Sequence, residues 1–192
     1  MGLSHSWIAV RGLTREQALE TLAMEVSDVE TDFIDGIALF DWPGDWLVVI
    51  SDDDEDALEG RLAELGPLGE AAVACSVNEH VMHSSAMGWE AGEGVWSVKV
   101  GPGFVVRVVG QPPEQLDPII SETKAEQENS EADLFFDIPA KLAESICGFM
   151  LGEVDPDAVQ HVSLKSKAAE PREAVARETG KPGFFARLFG RA

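Results

Sequence analysis

Ile37-Ala38-Leu39-Phe40-Asp41-Trp42-Pro43-Gly44-Asp45-Trp46-Leu47-Val48-Val49-Ile50 is the stretch whose reading decides the fold. Two β-prone runs flank a short Pro-Gly turn, which predicts a hairpin with an unusually apolar second strand. Ser51-Asp52-Asp53-Asp54-Glu55-Asp56 follows at once and predicts the opening of a helix that carries Ala57, Leu58, Leu62 and Leu65. Leu58, Leu62 and Leu65 stand at i, i+4 and i+7, and Gly66-Pro67 closes the element. Acids at a helix start suit its dipole and its unpaired amides. A calcium loop is excluded by its own spacing. Counted from Asp52, Ala57 and Ala63 occupy the places that need glycine and a bidentate glutamate.

Upstream, Trp7-Ile8-Ala9-Val10 reads as a buried first strand, and Thr14-Arg15-Glu16-Gln17 is a capping-box sequence. Leu19, Leu22, Ala23 and Val26 give the apolar face of the helix it starts, and Asp28 to Asp35 is an acidic connector. Downstream, Ala71 to Val77 reads as a strand, so the chain begins β-α-β-β-α-β, the split pattern of ferredoxin-like folds. Val81 to Trp89, Val95 to Val100 and Phe104 to Val109 follow as strands of a meander. Pro112-Pro113 starts a third helix with Leu116, Ile119 and Ile120, which fades into the polar run Glu122 to Asp133. Pro139 suits the first turn of a fourth helix with a stripe of Leu142, Ile146, Phe149 and Met150, and Val159 to Leu164 reads as a last strand. The expected class is α+β: a single, largely antiparallel sheet covered by helices. Its general look is similar to small bacterial α+β proteins, immunity-type ones included. The expected organisation is an acidic globular domain over 1–164, a polar linker over 165–182 and a basic amphipathic segment over 183–192.

The chain has 192 residues, 45% hydrophobic and 26% charged, the composition of a soluble globular protein. No run of apolar residues is long enough to predict a transmembrane helix, and no secretory signal is visible at the N-terminus. A cytoplasmic address follows as the expectation. Met1 to Ser6 fits the loose acylation pattern M-G-x-x-x-[ST], although a strand begins directly after it. The net charge of -21 is unevenly spread: residues 165–192 carry 7 basic and 3 acidic side chains, and residues 1–164 carry 7 basic and 32 acidic ones. The two parts are thus at +4 and -25. So acidic a body repels nucleic acid and attracts a basic partner.

Signals for chemistry are sparse. Cys75, Glu79, His80 and His83 are the densest set of metal-ligand types, but His80 and His83 point to opposite faces if they share a strand. With no second half-site, no metal and no cofactor is expected, and Cys75 and Cys147 read as free core thiols. Ser84-Ser85 lies in no nucleophile elbow, and phosphate-cradling and dinucleotide glycine motifs are absent, so no catalytic residue is assigned. Trp46 and Trp96 sit in apolar strands and read as core; Trp42 and Trp89 stand at strand ends, where an exposed interface anchor is open beside the core packing favoured for most of the four.

The C-terminus departs sharply from the body. Lys181-Pro182-Gly183-Phe184-Phe185-Ala186-Arg187-Leu188-Phe189-Gly190-Arg191-Ala192, wound as a helix, gathers Phe184, Phe185, Leu188 and Phe189 within about 140° of arc. Arg187 and Arg191 lie beside that face, placed to snorkel to lipid headgroups. The stretch resembles the C-terminal amphipathic membrane-targeting segment of the bacterial cell-division ATPase MinD. The resemblance implies a membrane-facing role for Phe184, Phe185, Leu188 and Phe189 and a headgroup role for Lys181, Arg187 and Arg191. It implies no ATPase, because the body has no P-loop. Three uses of the tail stay open: an anionic membrane surface, a partner's groove, or the chain's own acidic body. The sequence thus predicts a non-catalytic cytoplasmic interaction protein, peripheral to the inner face of the membrane if lipid is the target. The alternatives are an immunity-type inhibitor that covers a basic toxin or nuclease, and an enzyme whose pocket is assembled from distant residues.

Overall fold

Strands Ile37–Trp42 and Trp46–Ser51 pair antiparallel with Trp42 opposite Trp46, and Gly44 and Asp45 turn the chain at positive φ (84° and 61°). This hairpin lies inside a larger sheet in the computed structural model, which describes residues 4–167 apart from Glu30, Phe33, Pro102, Phe104, Pro156 and Asp157. In chain order the elements are β1 (Ser4–Arg11), α1 (Arg15–Thr21), β2 (Met24–Val26), the hairpin strands β3 and β4, and β5 (Ala71–Asn78). Then come β6 (His83–Glu90), β7 (Glu93–Gly101), β8 (Val105–Gly110), α2 (Leu116–Gln127), α3 (Ile138–Cys147) and β9 (Val162–Ser166). The nine strands form one sheet in the order β2-β9-β3-β4-β1-β5-β6-β7-β8, antiparallel at every pairing. β4 lies between β1 and β3, and β1 between β4 and β5. That interleaving has the strand order of a split β-α-β-β-α-β start, but the chain adds β2 before the hairpin and places no α-helix between β4 and β5.

Both faces of the sheet are covered, which explains the apolar second arm of the hairpin. Trp46, Val48 and Ile50 point to one face with Trp7, Ala9, Val73 and Cys75, beneath α2 and α3. Leu47 and Val49 point to the other with Ile8, Val10, Ala72 and Ala74, beneath α1 and the segment that follows β4. A strand buried on both sides has no use for polar alternation. On the α3 side, Gly148 caps the helix in the left-handed conformation (φ 70°) and donates its N–H to Glu144 O. The reversal returns Phe149 to the sheet, where it is wholly buried. Its ring meets Trp7 edge-on at 4.9 Å, Trp42 edge-on at 5.3 Å and Phe40 at 5.6 Å. Trp96 lies over Gly88 so closely that a β-carbon there would stand 2.2 Å from the indole nitrogen.

Two expected helices are corrected. The first ends at Thr21, with its capping box formed as read (Gln17 N to Thr14 Oγ1 3.3 Å, Thr14 N to Gln17 Oε1 2.9 Å). Ala23 turns at φ 51°, and Val26 belongs to β2 rather than to the helix face. Pairing with β9, Met24 opposite Ser166 and Val26 opposite Leu164, outweighs the helical spacing. The acid-led helix after β4 does not form either. Residues 53–60 make successive turns, and Leu62–Leu68 is a 3-10 helix containing Pro67. Leu62 and Leu65 are buried as expected, because residues three apart also align in a 3-10 turn. The acids and serines compete for the backbone that an α-helix needs. Asp56 Oδ1 accepts from the amides of Arg61 (2.6 Å) and Leu62 (3.3 Å), and Asp53 Oδ1 from that of Glu55 (3.0 Å). Ser6 Oγ, wholly buried, donates to Asp53 O at 2.5 Å and accepts from Ala57 N at 3.0 Å, pinning the turns to β1.

α2 runs on to Gln127 through the polar stretch, and α3 starts with Pro139 in its first turn. Among the described residues, no helix is long and apolar enough to cross a membrane.

Removing the Ser6 hydroxyl (Ser6→Ala) leaves a buried amide and a carbonyl without their partner. Stability measured by denaturant unfolding falls by about 1–3 kcal/mol. The loss shows first as faster amide exchange over residues 53–61. Phe149→Ala empties the centre of the aromatic cluster and lowers stability by about 3–5 kcal/mol, without that local signature.

Candidate functional site

The strand registers assemble a polar row that no local spacing announces. Ser6 stands opposite Ser51 on β4 and Ser76 on β5; Ser76 stands opposite Ser85 on β6. Ser85 stands opposite Lys99 on β7, and Lys99 opposite Arg107 on β8. Ser51, Ser6, Ser76, Ser85, Lys99 and Arg107 therefore cross the sheet side by side, on the face that packs α1 and the turn segment. A second, shorter row beside it holds Ser4, Asn78 and His83.

The turn segment covers only the β4–β1 end of these rows. There the serines have backbone partners: Ser6 as described, and Ser51 Oγ accepting from Asp53 N at 3.2 Å. Asp54 is fastened by Ser4 Oγ at 3.0 Å and Asn78 Nδ2 at 2.8 Å. Past Asp54 the cover stops, and a cleft of about 420 Å³ opens over β5, β6 and β7. Its lining comes from the strands (Ser76, Asn78, His83, Ser85 and Lys99), from Val81 of the β5–β6 turn, and from Asp54, Glu55, Leu58 and Glu59 of the turn segment. Lys99 Nζ lies 3.8 Å from Glu59 Oε1, both well exposed, so water screens the pair. Ser85 differs from the other serines of the row. It is fully buried, and its Oγ has no hydrogen-bond partner among the described residues.

An ammonium, a carboxamide and an imidazole line the cleft together with the carboxylates of Asp54, Glu55 and Glu59. Ser85 and His83 share a face of β6, but no hydrogen bond joins them among the described residues, so the pair is not set as nucleophile and base.

The other candidates fall elsewhere. Cys75 points to the opposite face of the sheet from His83, and His80 is exposed in the β5–β6 turn, so the three do not converge. Trp46 and Trp96 are core residues as read. Trp89 is buried against Gly66 and Trp42 is half-buried against Phe149, so of the two readings open for them, exposed anchor or core, the structure favours core packing. Lys181, Phe184, Phe185, Arg187, Leu188, Phe189 and Arg191 lie outside the described residues, as do Met1 to Leu3 of the acylation pattern. Of the cleft residues, sequence reading singled out His83 and the acidic run; Ser76, Ser85 and Lys99 carry no signal until the register is known.

Both cysteines are free and buried. Burial pushes the Cys75 thiol up to about 12 and the Cys147 thiol up to about 11, against 9.0 for an ordinary thiol. The native state therefore keeps these protons longer than the unfolded chain does. Their contribution to stability is complete below pH 9.0 and is lost as pH rises towards 11–12. Native protein at pH 8 is expected not to react with Ellman's reagent, and both thiols titrate once denaturant is added. Rapid reaction of the folded chain overturns this placement.

Comparison with protein-family models, with curated proteins and with solved structures finds no match to this chain.

Proposed function

We propose that the protein is a non-catalytic interaction protein, an acidic α+β body whose basic, apolar C-terminal segment docks it to an anionic membrane surface or to a protein partner. The observation that carries this reading is the charge split: -25 over residues 1–164 against +4 over residues 165–192, with four large apolar side chains set among the terminal cations. An anionic surface attracts such a segment and repels the body. That repulsion acts only within the roughly 8 Å over which physiological salt screens charge. One short amphipathic helix binds lipid weakly, so a second anchor or a dimer strengthens it.

The fold supports the interaction reading in a second way. Among the described residues no strand pairs with the outer edge of β8, and Val105, Val108 and Val109 are exposed along it. An open apolar edge offers main-chain donors and acceptors to an added strand. The acidic body also favours a second reading, an immunity-type inhibitor of a basic toxin or nuclease; complex formation would then weaken steeply with salt.

In sedimentation with vesicles that contain anionic lipid, the full chain is expected to pellet and a chain ending at residue 179 to stay in solution. Replacing Phe184, Phe185, Leu188 and Phe189 with serine has the same effect. Equal pelleting of full and truncated chains removes the tail from the proposal.

A further inference from the structure

We infer that the groove beside Trp42, between the end of α3 and the segment that leads into β9, is the docking surface for the chain's own C-terminal segment, residues 181–192. The inference rests on the tail reading above, and adds what holds that segment when no membrane or partner is present. The groove encloses about 290 Å³. Trp42, Met150, Val154 and Val159 supply its apolar lining, and Glu144, Glu153 and Asp155 supply its charge, with no cation among the described residues that line it.

Each half of this lining has a counterpart in the segment. Phe184, Phe185, Leu188 and Phe189 match the apolar side chains, and Lys181, Arg187 and Arg191 match the carboxylates. The ion pairs of Arg15, Arg61, Lys99, Lys141 and Lys165 do not reach Glu144 or Glu153. Acidity alone selects nothing on so acidic a body, but here an indole stands among the acids. Trp42 is half-buried and is braced by Phe149 at 5.3 Å and Phe40 at 6.2 Å. A braced indole is a platform for a phenyl ring or a guanidinium group. The cleft over β5, β6 and β7 is also rich in carboxylates, but it is lined by Lys99 and has no phenyl or indole ring. At about 290 Å³ the groove is at the lower limit for a small-molecule site. It suits one anchoring side chain, with the rest of the segment laid over the rim.

The chain is long enough to make the contact. Lys167 is separated from Val159 of the groove by so few residues that the two stand at most about 28 Å apart. Residues 168–180 can span up to about 45 Å. Tethering of this length gives the segment a millimolar effective concentration at the groove, so a weak contact keeps it docked. An anionic membrane competes for the same cations and the same rings. Lipid therefore takes the segment only from the undocked fraction, and the apparent affinity for vesicles is reduced by that fraction.

The test uses the full chain carrying Ala186→Cys and a nitroxide on that thiol; Cys75 and Cys147 are buried and stay unlabelled. In NMR spectra without lipid, the label is expected to broaden the Trp42 indole signal and the amides of residues 148–155, and to leave those of α1 sharp. Glu144→Lys with Glu153→Lys is expected to abolish that broadening. The same pair of changes in the unlabelled chain is expected to lower the anionic-lipid concentration needed for half pelleting about tenfold. Glu16→Lys with Glu20→Lys on α1 makes an equal change of charge and is expected to leave the broadening intact and to shift pelleting far less. The proposal is overturned if the label broadens no groove signal, if the broadening survives Glu144→Lys with Glu153→Lys, or if both double variants gain vesicle affinity alike. If no form pellets with lipid, the membrane reading fails and the NMR spectra still decide the groove. If the full chain pellets and the groove signals stay sharp, the membrane reading stands and the groove is overturned.

Discussion

A sheet sealed on both faces leaves its middle strands nowhere to put a charged side chain. β1, β4 and β5 are covered by α2 and α3 on one side and by α1 and the turn segment on the other, and almost everything else follows from that. Trp46 to Ile50 must be apolar throughout, and Trp7 to Val10 likewise. The chain obtains this double cover unevenly. The α-helices of the C-terminal half protect one face, whereas the other depends largely on an acidic loop of turns that has little helical structure of its own.

That loop stays down because serine is a polar residue small enough for the interior and able to bond backbone. Ser51 and Ser6 sit under the loop and use their hydroxyls to hold it, and Ser4 and Asn78 fix Asp54 at its margin. The same row then passes out from under the loop and keeps its polarity. Ser76 and Ser85 are a continuation of a structural device past the point where the structure needs it. The row thus has two halves: one bonded to backbone under the loop, and one beneath the cleft.

Much of the architecture was legible in the sequence because it is written locally. The central hairpin, the Thr14 capping box, the meander of β6 to β8 and the Pro139 start of α3 are set by neighbouring residues. The misreadings came where two local codes shared one spacing, or where a distant partner decided. Leu62 and Leu65 fit a 3-10 turn as well as an α-helix, and the surplus of Asp and Ser before them favours turns. Val26 has helical spacing from Leu22 but pairs with a strand more than 130 residues away. The cleft was illegible for the same reason. Ser6, Ser76, Ser85, Lys99 and Arg107 are far apart in sequence, and only the strand registers place them in line.

Electrostatics ties the body to the cleft. The seven cations of residues 1–164 are too few to balance 32 acids, so each would be expected beside a carboxylate. Several are: Arg15 lies 2.7 Å from Asp41, Arg61 3.8 Å from Asp56, and Lys141 3.6 Å from Glu126. Arg107 instead faces Lys99 across β7 and β8, where a carboxylate in place of either would have been favourable. Arg107 is exposed on an edge strand, so the repulsion it contributes is weak in water and the arrangement is affordable without a ligand. The cations are therefore nearly neutral for folding.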